Sequence, residues 1–285
     1  MYEEFYQLRE KPFRLSADSR FFFESGGHKR ALAYLSYGLE QKEGFIVIAG
    51  SIGAGKTTLL EKLISQIRDK RIVVAKLVST QLEPDDFLHM VAAAFKLTHE
   101  PQSKAGILKS LSKFFQQQAM KNEGVLLVVD EAQNLPKRSL NELLTLTYIH
   151  AEGVPGMQVV LLGQNELLAT LKSPEMEEFR QHIITTYTLQ GMTKEETRRY
   201  IEHRMKLVGW KGDPAFSADA HDEIFAQTGG VPRRINTFCN RLLLYGYLEE
   251  LHAFTRETVR VVADELKTEL GQKSGGLSYL GDGPA

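Results

Sequence analysis

Three observations predict an α/β fold in which a parallel sheet is followed by an all-helical segment. Short apolar runs at Phe45–Ala49, Ile72–Val78, Val125–Val129, Gln158–Leu162 and Ile184–Leu189 alternate with stretches of helical periodicity, the signature of strands joined by crossover helices. The first run feeds directly into G-x-x-x-x-G-K-T at Gly50–Thr57, with a leucine-bearing helical pattern from Leu59. Strand, glycine loop and helix in that order are the setting of a phosphate-binding P-loop. After Gly191 only helical patterns remain.

The elements follow in order. Residues 1–30 form a leader with seven aromatics (Tyr2, Phe5, Tyr6, Phe13, Phe21, Phe22 and Phe23), too many for a disordered arm, so the leader is expected to pack on the core. Leu32, Leu35 and Leu39 at spacings of three and four predict a helix over 28–40. Beyond the second strand, helices are expected near 84–96 and 102–121. Another starts at about Pro136, a residue suited to a first turn. Thr193 with Glu196 three residues on resembles a capping box opening a helix to Leu207. Helices near 217–227, 232–250 and 255–269 complete the segment. The Gly- and Ser-containing stretch 271–285 is predicted to be disordered. The implied organisation is a leader (1–30), a nucleotide-binding domain (31–190), a helical lid (191–270) and a tail.

The loop Gly50-Ser51-Ile52-Gly53-Ala54-Gly55-Lys56-Thr57-Thr58 predicts a nucleoside triphosphate ligand. Its glycines let phosphate oxygens approach main-chain N–H groups, and the following helix N-terminus adds partial positive charge. Lys56 is placed for the β- and γ-phosphates and the Thr57 hydroxyl for Mg2+. The strand Val125–Val129 ends in Asp130-Glu131, which puts Asp130 at the carboxyl edge of the sheet as a second Mg2+ partner. Glu131, one position on, is the candidate general base for an attacking water. Gln164, at the tip of the next strand with Asn165 as the fallback, is a candidate to orient that water or sense the γ-phosphate; capping of the following helix is the alternative.

The chain has 285 residues, 42% of them hydrophobic, enough for a sizeable core. Lys plus Arg (35) against Asp plus Glu (36) leaves a net charge of -1, which argues against a protein whose whole surface grips nucleic acid. The single cysteine, Cys239, permits no internal disulfide and suits a reducing compartment. It lies in an apolar helical pattern, where an inert core thiol is expected. The eight histidines show no metal-ligand spacing, so no zinc site is predicted. No apolar run spans a bilayer and no signal peptide is visible, so a cytoplasmic location is expected, with contact to the inner membrane only through a partner.

The chain resembles the AAA+ family of P-loop ATPases over residues 1–270, and within it the ExeA-like general secretion ATPases, especially the subgroup beside exosortase/PEP-CTERM and exopolysaccharide loci. Segments carrying the resemblance include Phe5–Phe13, His28–Leu32, Asp130–Leu135, Leu162–Leu167, Phe179–Ile183 and Gly229–Asn236. Transposition regulators of the TnsC/TniB kind share much of the pattern. The resemblance implies an αβα domain of strand order 5-1-4-3-2 with a helical lid, ATP and Mg2+ as cofactors, hydrolysis, and homo-oligomers as rings or filaments. It implies secretion or polysaccharide-export partners, with DNA as the less favoured one. It also matches Arg233 to the lid arginine that contacts the γ-phosphate, and Arg180 to an arginine finger acting on a neighbouring subunit. Relatives commonly read Arg-Gln-Arg-Ile where this chain has Arg180-Gln-His182-Ile, which leaves the finger's identity open. Pro12 and Phe13 are implied near the adenine, with core packing as the simpler alternative.

Overall fold

The computed structural model describes residues 1–16, 18–67, 70–78, 86–97, 103–151, 153–269 and 271. In chain order the elements are α1 (Tyr2–Phe5), α2 (Gly26–Gln41), β1 (Phe45–Gly50), α3 (Lys56–Ile67), β2 (Ile72–Val78), α4 (Phe87–Ala94), α5 (Lys104–Met120), β3 (Gly124–Asp130), α6 (Lys137–Thr147), β4 (His150–Ala151) and β5 (Val154–Pro155). There follow β6 (Gln158–Gly163), α7 (Asn165–Leu171), α8 (Glu177–Gln181), β7 (Ile183–Leu189), α9 (Lys194–Leu207), β8 (Ala215–Phe216), α10 (Ala218–Thr228), α11 (Pro232–Leu248), β9 (Ala253–Phe254) and α12 (Arg256–Glu269). The expected helix start near 84 and the tail beyond 271 lie outside the described residues.

The chain divides into two compact units. One comprises His28–Ser51 and Leu59–Leu189; the other comprises Met1–Gly27, Ile52–Thr58 and the chain from Gln190 onward.

The first unit holds a five-stranded sheet of order β2-β3-β6-β1-β7, with every neighbouring pair parallel. Numbered by the five long strands alone this is 5-1-4-3-2, the order the resemblance implies. Every residue of β1 and β6 is buried. Strands covered on both faces need uninterrupted apolar runs, which is why Phe45–Ala49 and Val159–Leu162 carry no polar residue. Their register pairs Phe45 with Val159 and Ala49 with Gly163. The pairs Val78–Asp130 and Gly50–Leu189 lie at the carboxyl ends of their strands. One core gathers Phe45, Leu127, Leu161 and the inner faces of α4, α5 and α6. Phe45 meets Phe179 with ring centroids 4.2 Å apart.

The second unit has its own core around Ile201, Met205, Phe238, Leu242 and Val259. Tyr2, Tyr6, Leu8, Phe13 and Phe21 of the leader are buried in that core, and none of them is in the sheet's. The apolar side chains of the leader find their partners among the C-terminal helices. Tyr2 donates its hydroxyl to Asn240 Oδ1 at 2.7 Å and Tyr6 to the Leu251 carbonyl at 2.8 Å. The capping box is present: Thr193 Oγ1 accepts from the Glu196 N–H while Glu196 Oε2 accepts from the Thr193 N–H. The second oxygen, Glu196 Oε1, accepts from the Gly26 N–H at 2.7 Å. The cap therefore also ties down the end of the leader.

Candidate nucleotide site

Parallel strands deliver their carboxyl ends to one edge of a sheet, where ligands of open α/β folds bind. At that edge β6 lies between β3, which ends at Asp130, and β1, which ends at Gly50. The tip of β6 thus separates the strand carrying the acids from the strand feeding the glycine loop.

Asp130 is only 5% exposed. Its Oδ1 accepts from the Glu131 N–H at 3.0 Å, and its Oδ2 lies 3.6 Å from Lys76 Nζ on β2. Glu131 leaves the strand with φ 54° and ψ 39°. A left-handed conformation is unusual for a residue bearing a side chain and persists where the surroundings enforce it. It turns the chain so that Glu131 Oε2 accepts from Gln133 Nε2 at 2.6 Å and lies 3.5 Å from Gln164 Nε2. Gln164 occupies the N-cap of α7, yet its side chain makes no capping bond. The capping alternative therefore fails for Gln164, whose amide is directed to Glu131. Asn165 is the exposed first residue of α7.

In the second unit, the loop Ile52–Thr58 meets the N-terminus of α11. The Arg233 N–H donates to the Gly53 carbonyl at 3.2 Å. A Cβ placed on Gly53 would fall 2.2 Å from Arg233 Cβ, and Gly53 has φ +76°. Lys56, the first residue of α3, is 6% exposed, and Thr57 is exposed. Arg233 follows Pro232 in the first turn of α11 and is exposed. Gly53→Ala combines a disfavoured φ with a backbone-proximal clash, so the loop must shift away from α11. The expected outcome is a loss of nucleotide affinity of about tenfold or more, measured by titration with a fluorescent ATP analogue. Unchanged affinity would mean that this loop geometry is not the binding geometry.

Arg180 is held within its own chain: Nη1 donates to the Leu171 and Ser173 carbonyls, both at 2.8 Å, and Nη2 pairs with Glu177. Those bonds tie α8 to the end of α7. His182 Nε2 lies 2.9 Å from the Tyr148 hydroxyl, which also donates to Glu178. Phe13 is 2% exposed in the core of its unit, so packing accounts for it. Cys239 is a free, buried thiol whose pKa burial pushes up, as an inert core residue requires. Among the described residues no group of three or more His, Cys, Asp or Glu could hold a metal ion by itself. Within its own unit, Asp130 is a buried carboxylate at the sheet edge, the kind of oxygen donor that Mg2+ takes.

Two residues of this edge carry no signal in the sequence pattern. Gln133 stands in the Asp130–Leu135 segment, but spacing alone attaches no role to it. Lys76 is a cation in an otherwise apolar strand, which is a hint of a nearby acid and no more.

The strand order, the loop after β1 and the helical C-terminal region define the class: a P-loop fold of the AAA+ type. Residues 39–171 match the family model described as AAA domain. The chain is similar to the General secretion pathway protein A of Aeromonas hydrophila, with 30% identity over 270 residues, covering 93% of this chain and 48% of that protein. It spans about half the length of that curated relative. Among solved structures, Cdc6p from Pyrobaculum aerophilum aligns with TM-score 0.65 and 19% identity over 88% of this chain and 71% of that one. Aeropyrum pernix ORC2 aligns with TM-score 0.63 and 17% identity (93% and 75%). The Thermotoga maritima RuvB branch-migration motor aligns with TM-score 0.55 and 17% identity (90% and 74%). At these identities the structures establish the fold alone.

Proposed function

We propose that this chain binds and hydrolyses MgATP, and uses the cycle to drive or regulate a protein assembly linked to secretion. The observation that carries this reading is the Glu131 carboxylate at the carboxyl edge, contacted by the Gln133 and Gln164 amides, on a sheet whose strand β1 feeds the Gly50–Thr58 loop. A passive nucleotide binder has no need of an oriented carboxylate beside the metal-binding acid.

In this reading the N–H groups of Gly50–Thr58 and the Lys56 ammonium hold the phosphates. Thr57 and Asp130 hold the cation, and Arg233 adds a permanently charged donor at the γ-phosphate. When bound, Mg2+ supplies positive charge where negative charge builds on the phosphate oxygens. Glu131 accepts the proton of the attacking water, and Gln164 orients that water by hydrogen bonding.

Calorimetric titration of the full chain with MgATP tests the first step: a saturable heat at one site per chain is expected, and no heat from the folded chain would overturn the reading. The likeness to General secretion pathway protein A supports an envelope secretion partner, and export of exopolysaccharide or PEP-CTERM proteins is the finer proposal. No helix among the described residues is long and apolar enough to cross a membrane; contact with the inner membrane through that partner is part of the proposal. Assembly into a homo-oligomer would let Arg180, once released from the Leu171 and Ser173 carbonyls, reach a neighbouring subunit's γ-phosphate. Duplex-DNA binding that strengthens with ATP and falls steeply with salt would favour a transposition-type regulator instead.

A further inference from the structure

We infer that Gln133 is a positioning residue: a side-chain brace that locks the Glu131 carboxylate to the tip of β6, so that the two candidate water-handling groups, Glu131 and Gln164, are held as one unit. The inference rests on the proposed role of Glu131.

Both ends of the Gln133 amide are engaged. Gln133 Nε2 donates to Glu131 Oε2 at 2.6 Å, a short bond to a charged acceptor, and Gln133 Oε1 accepts from the Gln164 main-chain N–H at 2.9 Å. One end of the amide thus holds the acid on the β3 side and the other holds the main chain just past β6, with Gln133 and Gln164 31 residues apart. Charge-assisted bonds of this kind are roughly twice as strong as neutral ones.

The direction of the brace is set locally. The left-handed turn at Glu131 starts a short helical turn over Ala132–Asn134, closed by the Asn134 N–H on the Glu131 carbonyl at 3.0 Å and the Leu135 N–H on the Ala132 carbonyl at 3.1 Å. Ala132 is fully buried beneath it. Gly163, the last residue of β6, leaves the passage open: a Cβ there would stand 3.2 Å from Gln133 Oε1 and 2.8 Å from Leu167 Cδ2. The Gln164 N–H, at the N-cap of α7, would otherwise be one of the unpaired donors that every helix start leaves.

The test uses the full chain and its variants Gln133→Leu, the isosteric Gln133→Glu, Glu131→Gln, and Glu131→Gln combined with Gln133→Leu. Without nucleotide, amide exchange at Gln164 should accelerate about tenfold in Gln133→Leu, as expected for loss of one hydrogen bond. With MgATP, both Gln133 variants should lose about 10- to 100-fold in kcat while KM moves by no more than about threefold, because orientation is lost and binding is not. The double variant should be no slower than Glu131→Gln alone, since Gln133 acts only through Glu131. Unchanged exchange at Gln164 overturns the brace, whatever the turnover. So does a Gln133 variant with wild-type kcat when Glu131→Gln is inactive, or a double variant slower than Glu131→Gln. Turnover retained by Glu131→Gln instead overturns the role of Glu131 and leaves exchange to decide the brace. Gln133→Glu keeps the side-chain volume, so the comparison survives if Gln133→Leu folds poorly.

Discussion

Glu131→Gln is expected to lower kcat for ATP hydrolysis by about 10²- to 10⁴-fold, the range of a lost general base, while leaving MgATP affinity within about threefold of wild type. The substitution keeps the volume and planarity of the side chain. Its oxygen can still accept from Gln133 Nε2, which lies 2.6 Å from Glu131 Oε2 in the wild-type chain, so the turn after β3 should survive. What disappears is the negative charge and the capacity to take a proton from water. Nucleotide affinity depends on other groups: the loop N–H donors, Lys56, and Asp130 with its own contacts to the Glu131 N–H and Lys76. Lys56→Ala should show the converse, with binding lost before chemistry can be measured. Single-turnover kinetics beside equilibrium binding separate the two variants. A Glu131→Gln chain that turns over at the wild-type rate would remove Glu131 from the chemistry.

The parts of this architecture legible in the sequence are those built from continuous signals. Phe45–Ala49 and Val125–Val129 are uninterrupted apolar runs because both faces of their strands are covered, and the glycine loop follows directly, so the edge where the acids stand could be placed from pattern alone. The capping box at Thr193 and Glu196 is equally local. Contacts made across the fold were not legible. Nothing in the spacing of Gln133 says that its amide spans from Glu131 to the Gln164 N–H, because that depends on a left-handed turn and on the strand order bringing β6 beside β3. Arg180 reads as a helix-surface cation, and only the fold reveals the Leu171 and Ser173 carbonyls that hold it. The pairs β4–β5 and β8–β9 have two residues per strand, too short for any periodicity to register. The leader's aromatics announced packing, but one residue that fastens the leader stands far along the chain.

That residue is Arg204, and replacing it by Met is expected to destabilise the unit formed by the leader and the lid helices by about 2–4 kcal/mol, from acceptors left without a donor. Arg204 is 6% exposed. Its Nε donates to the Pro12 carbonyl at 2.6 Å, Nη1 to the Tyr200 hydroxyl at 2.8 Å and Nη2 to the Arg14 carbonyl at 3.5 Å. The guanidinium also lies 4.7 Å from the centroid of the Phe21 ring. Tyr200 passes the network on, donating to Asn236 Oδ1 at 2.8 Å, and its burial pushes the phenol pKa up so that the proton stays in place. Two effects oppose each other on substitution. Methionine relieves the desolvation of a buried cation, which can make such replacements nearly neutral. Against that, the Pro12 carbonyl and the Tyr200 hydroxyl lose their donor at about 1–3 kcal/mol for each buried group left unpaired, and the stacking on Phe21 is lost. Asn236 Nδ2 also donates to the Arg14 carbonyl at 3.3 Å, so that acceptor is compensated and the total stays near the middle of the range. Lysine should fall between the two, since an ammonium lacks the planar fork that reaches several acceptors at once. Urea unfolding of wild type, Arg204→Lys and Arg204→Met should give falling midpoints in that order with a constant m-value, and cleavage after Arg14 and Arg20 by trypsin should accelerate in parallel. An Arg204→Met chain as stable as wild type would show that the apolar side chains of the leader hold it in place without the guanidinium.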